Sequence, residues 1–274
     1  MTDLLDDNFN IPARLGVVAE IHDGEFRLGL HPRPELLRHG ALRASIVAFL
    51  VDVAAGVVLD DDPNAWTLTS DMSVRMRPLP APAFLSTRTT ILRRGRRSAV
   101  ATVDVVTEEE QSVATGAIGF TRVQRRDTDP VKPPASPGRM ATMFDGSRTL
   151  DRPLREEAGI VVLDASAGTL EMQVTPELRN PAGTLQGAMV ALFAEAAAEE
   201  MASARFNTAA VVTELDLRYL AQTGAGPVQS TCTLLGDGPD APMQVELWDR
   251  SSGRLTTLVY ARTATISVGT TISV

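Results

Sequence analysis

Two stretches of the chain are apolar at almost every position and carry an acid at the same place. They are 45–56, SIVAFLVDVAAG, and 188–199, AMVALFAEAAAE, with Asp52 and Glu195 as the matched acids. A helix that is apolar almost all round is buried rather than amphipathic on a surface. The pattern therefore predicts two buried central helices, one in each half of the chain.

Segments rich in Val, Thr and Ile, separated by short polar turns, surround each apolar stretch and predict β-strands. The first half gives 14–21, 25–30, 66–77, 83–93, 98–108 and 113–123, and the second gives 159–165, 169–174, 209–220, 228–235, 243–249 and 255–266. Each half thus reads strand, strand, long helix and then antiparallel strands. This order is typical of the α+β class, in which a helix packs on an antiparallel sheet.

The two halves also match in sequence at a constant offset of 143 residues. At that offset Asp52 falls on Glu195, Gly40 falls on Gly183, and SDMSVRM at 70–76 falls on TELDLRY at 213–219, with no gap. The chain is therefore interpreted as two copies of one domain.

A proline-rich stretch, PVKPPASPG, lies between the copies and predicts an extended, semi-rigid connection. We expect a first domain at 1–126, a linker at 127–151 and a second domain at 152–274.

The composition argues against some classes of function but does not identify one. The net charge of −8 argues against a general nucleic-acid binder, which would show a basic footprint. Cys232 is the one cysteine, so no intrachain disulfide forms, which fits a reducing cytoplasm.

The acidic start does not look like a signal peptide, and no run of about 18 apolar residues predicts a membrane span. Three scattered histidines and that cysteine make no metal site by spacing, and neither a phosphate loop nor a GxSxG elbow occurs.

The segment before the second helix carries the sharpest motif. It reads Asn180-Pro-Ala-Gly183-Thr-Leu-Gln186-Gly187-Ala, with Glu195 further into the helix. This resembles the phenylacetate-pathway branch of hotdog-fold acyl-CoA thioesterases, which have an Asn, a Gly, His-Gly-Gly entering the helix and an acid two turns in. The second copy has Gln186 where that family has His. The first copy keeps its acid as Asp52 but has lost the Asn, the helix-start Gly and the His, which are here Leu37, Ala44 and Arg43.

The resemblance implies two tandem hotdog domains, each an antiparallel sheet wrapped around a central helix, paired within one chain as a pseudo-dimer. It further implies an acyl-CoA substrate, with CoA as part of that substrate and no separate cofactor. Hotdog pairs often associate further, so the expected partner is a second copy, in a homodimer of four hotdog domains.

Helix length decides which residues share a site. Gly187 and Glu195 are eight residues apart, which is roughly 12 Å along a helix, so one carbonyl cannot easily touch both. The acid must come from the other copy, as it does in the family. The chain therefore offers a site of Asp52 with Asn180, Gln186 and Gly187, and a weaker site of Glu195 with Leu37, Arg43 and Ala44.

Each residue type has a role in thioester hydrolysis. A carboxylate serves as base or nucleophile, and a glycine at a helix N-terminus offers a free backbone N–H to the developing oxyanion. The purely structural alternatives are an acid that hydrogen bonds across the pseudo-dimer, a packing glycine and a turn asparagine.

A turn of four arginines, Arg93, Arg94, Arg96 and Arg97, joins two predicted strands of the first copy. Arginine binds phosphate well, and the family often has a similar turn, so these side chains are candidates for the CoA phosphates. The alternative is a solvated hairpin tip.

Two other functions remain open. Hotdog hydratases and dehydratases share the fold but use a His-Asp or His-Glu pair, and no His accompanies Asp52 or Glu195 in the helix motif. The second alternative is a non-catalytic protein that binds an acyl group or CoA.

Overall fold

The computed structural model describes residues 10–78, 80–129 and 131–266. The two ends of the predicted domains, at 1–9 and 267–274, and the first proline of the linker motif, Pro130, lie outside the described residues.

The described chain contains fourteen strands and four α-helices. The strands are β1 Val17–His22, β2 Glu25–Leu30, β3 Leu37–Arg38, β4 Ala41–Leu42, β5 Ala65–Met76, β6 Leu85–Arg94, β7 Ser98–Val106, β8 Ser112–Gln124, β9 Val161–Asp164, β10 Thr169–Met172, β11 Ala209–Tyr219, β12 Val228–Leu234, β13 Met243–Asp249 and β14 Arg254–Ile266. The helices are α1 Ala44–Leu59, α2 Pro137–Met143, α3 Leu154–Glu157 and α4 Gly187–Phe206. The two long helices and the twelve strands predicted from the pattern are confirmed, with bounds that shift by a few residues.

Twelve strands form one antiparallel sheet in the order β1-β2-β6-β7-β8-β5-β11-β14-β13-β12-β10-β9. Each half contributes six strands, and equivalent strands of the two halves follow one another in the same order from the outer edge to the centre. There β5 of the first half lies beside β11 of the second. These two strands pair from Glu214 opposite Arg75 to Arg218 opposite Asp71, and Arg75 also contacts the carboxylate of Asp216 at 2.7 Å. The two halves of the chain therefore share one continuous sheet.

The long helices lie against this sheet and against each other. Helix α1 contacts β5 to β8, helix α4 contacts β10 to β14, and the two helices contact one another. Residues 44–51 of α1 and 188–199 of α4 are buried throughout, as an apolar helix wrapped by a sheet requires. Both helix N-termini consequently lie close to the opposite half.

Matched glycines explain part of the repeat seen in the sequence. Gly40 and Gly183 have φ of +79° and +81°, a conformation that favours glycine, and a Cβ at either would meet nothing within 4 Å. The residue type at these two positions is therefore dictated by the backbone turn that leads into each helix.

The connection between the halves differs from the extended segment that proline suggested. It contains α2, which begins after Ser136 as N-cap with Pro137 in its first turn, and it buries Met140 and Phe144 against the first half. Lys132 is the only lysine, and its side chain is 5 % exposed. It donates to Asp60 Oδ1 at 2.5 Å and to the carbonyls of Asp62 and Ala65. The connection is thus a packed strap rather than a free linker.

Among the described residues, no helix is long and apolar enough to cross a membrane.

Candidate functional site

A cavity of about 640 Å³ lies where the two halves meet. Its walls come from one face of α1, the N-terminus of α4 with the loop before it, the central strand β5 and the strap between the halves. Ligand pockets commonly have volumes of about 300–1,000 Å³, so the cavity has the size of a small-molecule site. Asp52, Asn180, Gln186 and Gly187, four residues expected to form one site, all line it.

Asp52 is the acid of this cavity. Its Oδ1 accepts a hydrogen bond from Thr69 Oγ1 at 2.7 Å, and its Oδ2 accepts one from Gln186 Nε2 at 3.2 Å. Burial raises the pKa of Asp52 to about 6, against the opposing effect of the Thr69 hydrogen bond. The carboxylate is therefore ionised at neutral pH but more basic than an exposed aspartate, as a general base requires.

Gln186 joins the acid to the opposite helix. It is the N-cap of α4, and its Oε1 accepts from the backbone N–H of Ala188 at 2.7 Å and of Met189 at 3.1 Å. The two ends of this amide are thereby fixed, because the carbonyl caps the helix while the NH2 group donates to Asp52. Unlike the histidine of the resembled family, the side chain holds the acid in place without being able to exchange a proton.

Gly187 begins α4 beside that carboxylate. A Cβ built on Gly187 would lie 3.2 Å from Asp52 Oδ2, so only glycine leaves the two groups uncrowded. Among the described residues, its backbone N–H donates no hydrogen bond, whereas the next two N–H groups are capped by Gln186. A free N–H at a helix N-terminus is a ready donor to an oxyanion.

Asn180 has a structural role as well as a place in the wall. Its Oδ1 accepts from the backbone N–H and the hydroxyl of Thr184 at 3.2 and 3.3 Å, which closes the turn before α4. Asn180 is therefore both a turn residue and a residue of the cavity wall, so the two interpretations of it from the sequence are compatible.

Two residues of the site escaped the sequence interpretation. Thr69 reaches Asp52 from a β-bulge in β5, and the register shift at 69–71 has a counterpart at 212–214 in β11. Tyr219 donates its hydroxyl to the Gly187 carbonyl at 3.0 Å, and burial together with the Asp52 charge raises its pKa well above the ordinary value. Tyr219 therefore stays protonated and holds the first residue of α4.

Glu195, the matched acid, has different surroundings. It is 0 % exposed, its Oε1 accepts from Ala44 N at 2.6 Å, and its Oε2 accepts from Ser45 Oγ at 2.5 Å. Arg43 Nη1 lies 3.6 Å from Glu195 Oε2 and 3.3 Å from Glu199 Oε2. Glu195 thus caps α1 within a buried ion-pair cluster, and it does not line the 640 Å³ cavity.

The four-arginine turn lies at the tip of the β6–β7 hairpin, away from the cavity lining. Arg94 donates to Asp61 Oδ2 at 2.5 Å and to the Val58 carbonyl at 2.8 Å, close to the C-terminus of α1. All four side chains are exposed, and none of them lines the cavity. Their role in binding CoA phosphates stays a prediction.

No group of three or more His, Cys, Asp or Glu side chains that could hold a metal ion occurs in the described part of the chain.

A methyl group at the start of α4 is expected to impair the site. Gly187→Ala would place Cβ 3.2 Å from Asp52 Oδ2 and narrow the cavity beside the acid. For the thioester substrate that the resemblance implies, we expect kcat/KM to fall about a hundredfold, because a displacement of about 1 Å can cost that factor. Steady-state thiol release measures the change.

Gly138→Ala is the matched control, since its Cβ would meet nothing within 4 Å and Gly138 does not line the cavity. Equal kcat/KM in the two variants would show that Gly187 has no part in the reaction.

Comparison with solved structures identifies the fold. The chain is similar to a hot dog fold protein from Alicyclobacillus acidocaldarius, with TM-score 0.61 and 15% identity over 93% of this chain and 98% of that one. It is similar to the 12:0-ACP thioesterase from Umbellularia californica, with TM-score 0.61 and 11% identity over 88% and 94%. It is also similar to the tesB protein of Mycobacterium avium subspecies paratuberculosis, with TM-score 0.59 and 12% identity over 91% and 96%. Neither a family model nor a curated protein matches the sequence.

At such low identities these likenesses show the fold alone, which is the hotdog fold. The structural neighbours include proteins named as thioesterases.

Proposed function

We propose that the chain hydrolyses an acyl-CoA thioester at one site, in the cavity between two tandem hotdog repeats. The observation that carries the proposal is the meeting of a basic carboxylate and a free helix N-terminus. Asp52 comes from α1 of the first half, and Gly187 begins α4 of the second half, with their closest approach inside the cavity. The thioesterases among the structural neighbours add support for this reaction class.

The proposed reaction follows from these positions. Asp52 takes a proton from a water molecule, whose oxygen adds to the thioester carbonyl carbon. The Gly187 N–H stabilises the oxyanion that develops. When the C–S bond breaks, the thiolate takes the proton back from Asp52, which leaves a carboxylic acid and free CoA. CoA is part of the substrate, and no separate cofactor enters the proposal.

The unequal environments of the matched acids support a single working site. Asp52 lines the cavity and accepts its hydrogen bonds from the neutral side chains of Thr69 and Gln186. Glu195 lies outside the cavity, caps the N-terminus of α1 and pairs with Arg43. A hydratase is not favoured, because none of the described residues that line the cavity is a histidine. We further propose a second copy of the chain as the protein partner.

Thiol release from a panel of acyl-CoAs, from acetyl to palmitoyl and including phenylacetyl, tests the proposal. Turnover by the purified wild type, with free carboxylic acid formed in equal amount, is the expected result. A folded protein that binds acyl-CoA in stoichiometric amount but releases no thiol from any member would be a non-catalytic binding protein instead.

The pH dependence of the reaction is a separate prediction. Because burial raises the pKa of Asp52 to about 6 and the ionised form is the base, activity requires pH above that value. We expect kcat/KM to be constant above about pH 7 and to fall about tenfold per unit below about pH 6. A rate profile measured with parallel circular dichroism checks this, and a flat profile in a folded protein through that window would contradict the assignment of Asp52 as the base.

A further inference from the structure

The cavity has an apolar part and a polar part. Most of its large apolar side chains come from the first half and the strap, and they include Phe49, Val53, Trp66, Phe120, Met140 and Met143. The loops of the second half add the polar side chains of Asn180, Thr184, Gln222 and Thr223, beside the apolar Leu185 and Leu220. A linear ligand that lies across both parts would therefore have one apolar end and one polar end.

One face of α1 forms the floor of the apolar part. Asp52, Gly56 and Asp60 line the cavity at a spacing of four residues. Asp52 and Gly56 lie on successive turns of one face of α1, and Asp60 is the C-cap that follows the helix. Four residues of helix span roughly 6 Å, which puts Gly56 one turn beyond the acid and Asp60 two turns beyond it. A chain attached to a carbonyl at Asp52 would run over Gly56.

Gly56 keeps this path open. A Cβ at Gly56 would meet nothing within 4 Å, although the residue lies inside a helix, where glycine is unfavourable. The matched position of the second half has a side chain instead. It is Glu199, which is 0 % exposed and pairs with Arg43. The same helix face is therefore filled in one half and open in the other.

The strap closes the apolar part from the opposite side. Lys132 fixes its start to the end of α1 at Asp60, and its far end is fixed to β1 by the hydrogen bond from Ala19 N to the Phe144 carbonyl at 2.8 Å. The ring of Phe144 packs edge-on against Phe49 of α1, with ring centroids 5.9 Å apart. Between these two anchors, α2 presents Met140 and Met143 to the cavity. Methionine side chains adapt to irregular apolar ligands.

We propose that the apolar part holds the acyl chain of the substrate, and that Gly56 and the strap residue Met143 set the chain length the protein accepts. The substrate class is then an acyl thioester with an extended aliphatic chain, rather than acetyl or another short acyl group. The inference rests on the thioesterase function proposed above, and it makes the connection between the repeats a specificity element.

Two variants test the proposal from opposite directions. Gly56→Leu fills the open floor, and we expect it to lower the ratio of kcat/KM for palmitoyl-CoA to kcat/KM for acetyl-CoA at least tenfold. Met143→Ala removes part of the ceiling, and we expect it to shift the preferred length toward longer chains. Thr142→Ala, an exposed position in the same helix that does not line the cavity, should keep the wild-type profile.

Binding of free fatty acids gives a readout that needs no turnover. Trp66 lines the cavity, while the other tryptophan, Trp248, lies in β13 and does not. Palmitate is expected to change the fluorescence of the wild type, and a Trp66→Phe variant identifies Trp66 as the source of the signal. Gly56→Leu should weaken palmitate binding at least tenfold.

The outcomes separate the two proposals. Wild-type hydrolysis with unchanged length profiles and palmitate affinities in both variants would overturn this inference and leave the thioesterase proposal standing. Palmitate binding that Gly56→Leu weakens, in a wild type that hydrolyses no acyl-CoA, would overturn the thioesterase proposal and support the acyl-binding role of the apolar part.

Discussion

Replacing Asp52 by asparagine is expected to lower kcat for thioester hydrolysis by about a thousandfold, within the range that general acid–base catalysis contributes. The variant keeps the shape of the side chain and can still accept the hydrogen bond from Thr69 Oγ1. It loses the basic carboxylate whose pKa of about 6 suits proton transfer at neutral pH. Removing a buried charge favours the variant, while the contact between its NH2 group and Gln186 Nε2 disfavours it, so its stability should stay close to that of the wild type. Thiol release and thermal unfolding measure the two effects.

Glu195→Gln is the matched control, because it makes the same chemical change at the equivalent position of the second half. Glu195 lies outside the cavity and caps α1, so this variant should lose stability while its kcat remains within about threefold of the wild-type value when assayed below its unfolding transition. The reverse pattern, with activity lost in Glu195→Gln and kept in Asp52→Asn, would assign the reaction to the other acid.

Arg43→Met is expected to cost about 3–5 kcal/mol of the free energy of unfolding, as when one partner of a buried ion pair is removed. Arg43 is 4 % exposed, and its guanidinium is within 3.6 Å of both Glu195 and Glu199. Without it, two buried carboxylates remain near each other with less compensating charge. Urea unfolding measures the loss, and Arg88→Met, which breaks the exposed contact with Glu110, should cost less than about 1 kcal/mol.

The cost of Arg43→Met should also depend on pH. Burial, followed by the charge of Glu195, raises the pKa of Glu199 to about 7, above the ordinary value of 4.5. Below pH 7 the folded protein takes up a proton at Glu199 that the unfolded chain binds only near pH 4.5, so lower pH favours the folded state at this group. The charge of Arg43 lowers this pKa, so its loss raises the pKa of Glu199 further and the variant gains more stability than the wild type as the pH falls. The deficit of the variant should therefore shrink from pH 8 to pH 5, and a deficit that grows would show that the cluster does not carry the effect.

Much of this architecture can be predicted from the local pattern of apolar and polar residues. The long helices and strands were predictable because each is continuous in its apolar or alternating character, and the offset of the repeat linked them in pairs. The partnership of Asp52 with Gly187 followed from the resemblance and the repeat together with helix length, since one helix cannot bring its own start and its own acid together.

The features that were not predicted either depend on tertiary structure or, in the case of helix α2, have a helix-start signal that follows several prolines. Thr69 reaches Asp52 only because a bulge in β5 changes the register. Helix α2 did have a start signal, Ser136 followed by Pro137, but the prolines before it favoured an extended interpretation. The sequence offered a hydrogen bond across the pseudo-dimer as the structural alternative for a matched acid, but the capping of α1 by Glu195 could not be predicted, because it needs the two halves already in contact.

The covalent connection between the halves has an evolutionary consequence. In a homodimer of identical subunits, every substitution that improves one site also alters the other, so both must keep their chemistry. A chain that carries both halves is free of that symmetry, and its two helix faces have diverged. Asp52 and Gly56 form an open face toward the cavity, while Glu195 and Glu199 form a closed face neutralised by Arg43. Under the proposed function, the half-site around Glu195 is a structural anchor, and the half-site around Asp52 is free to specialise.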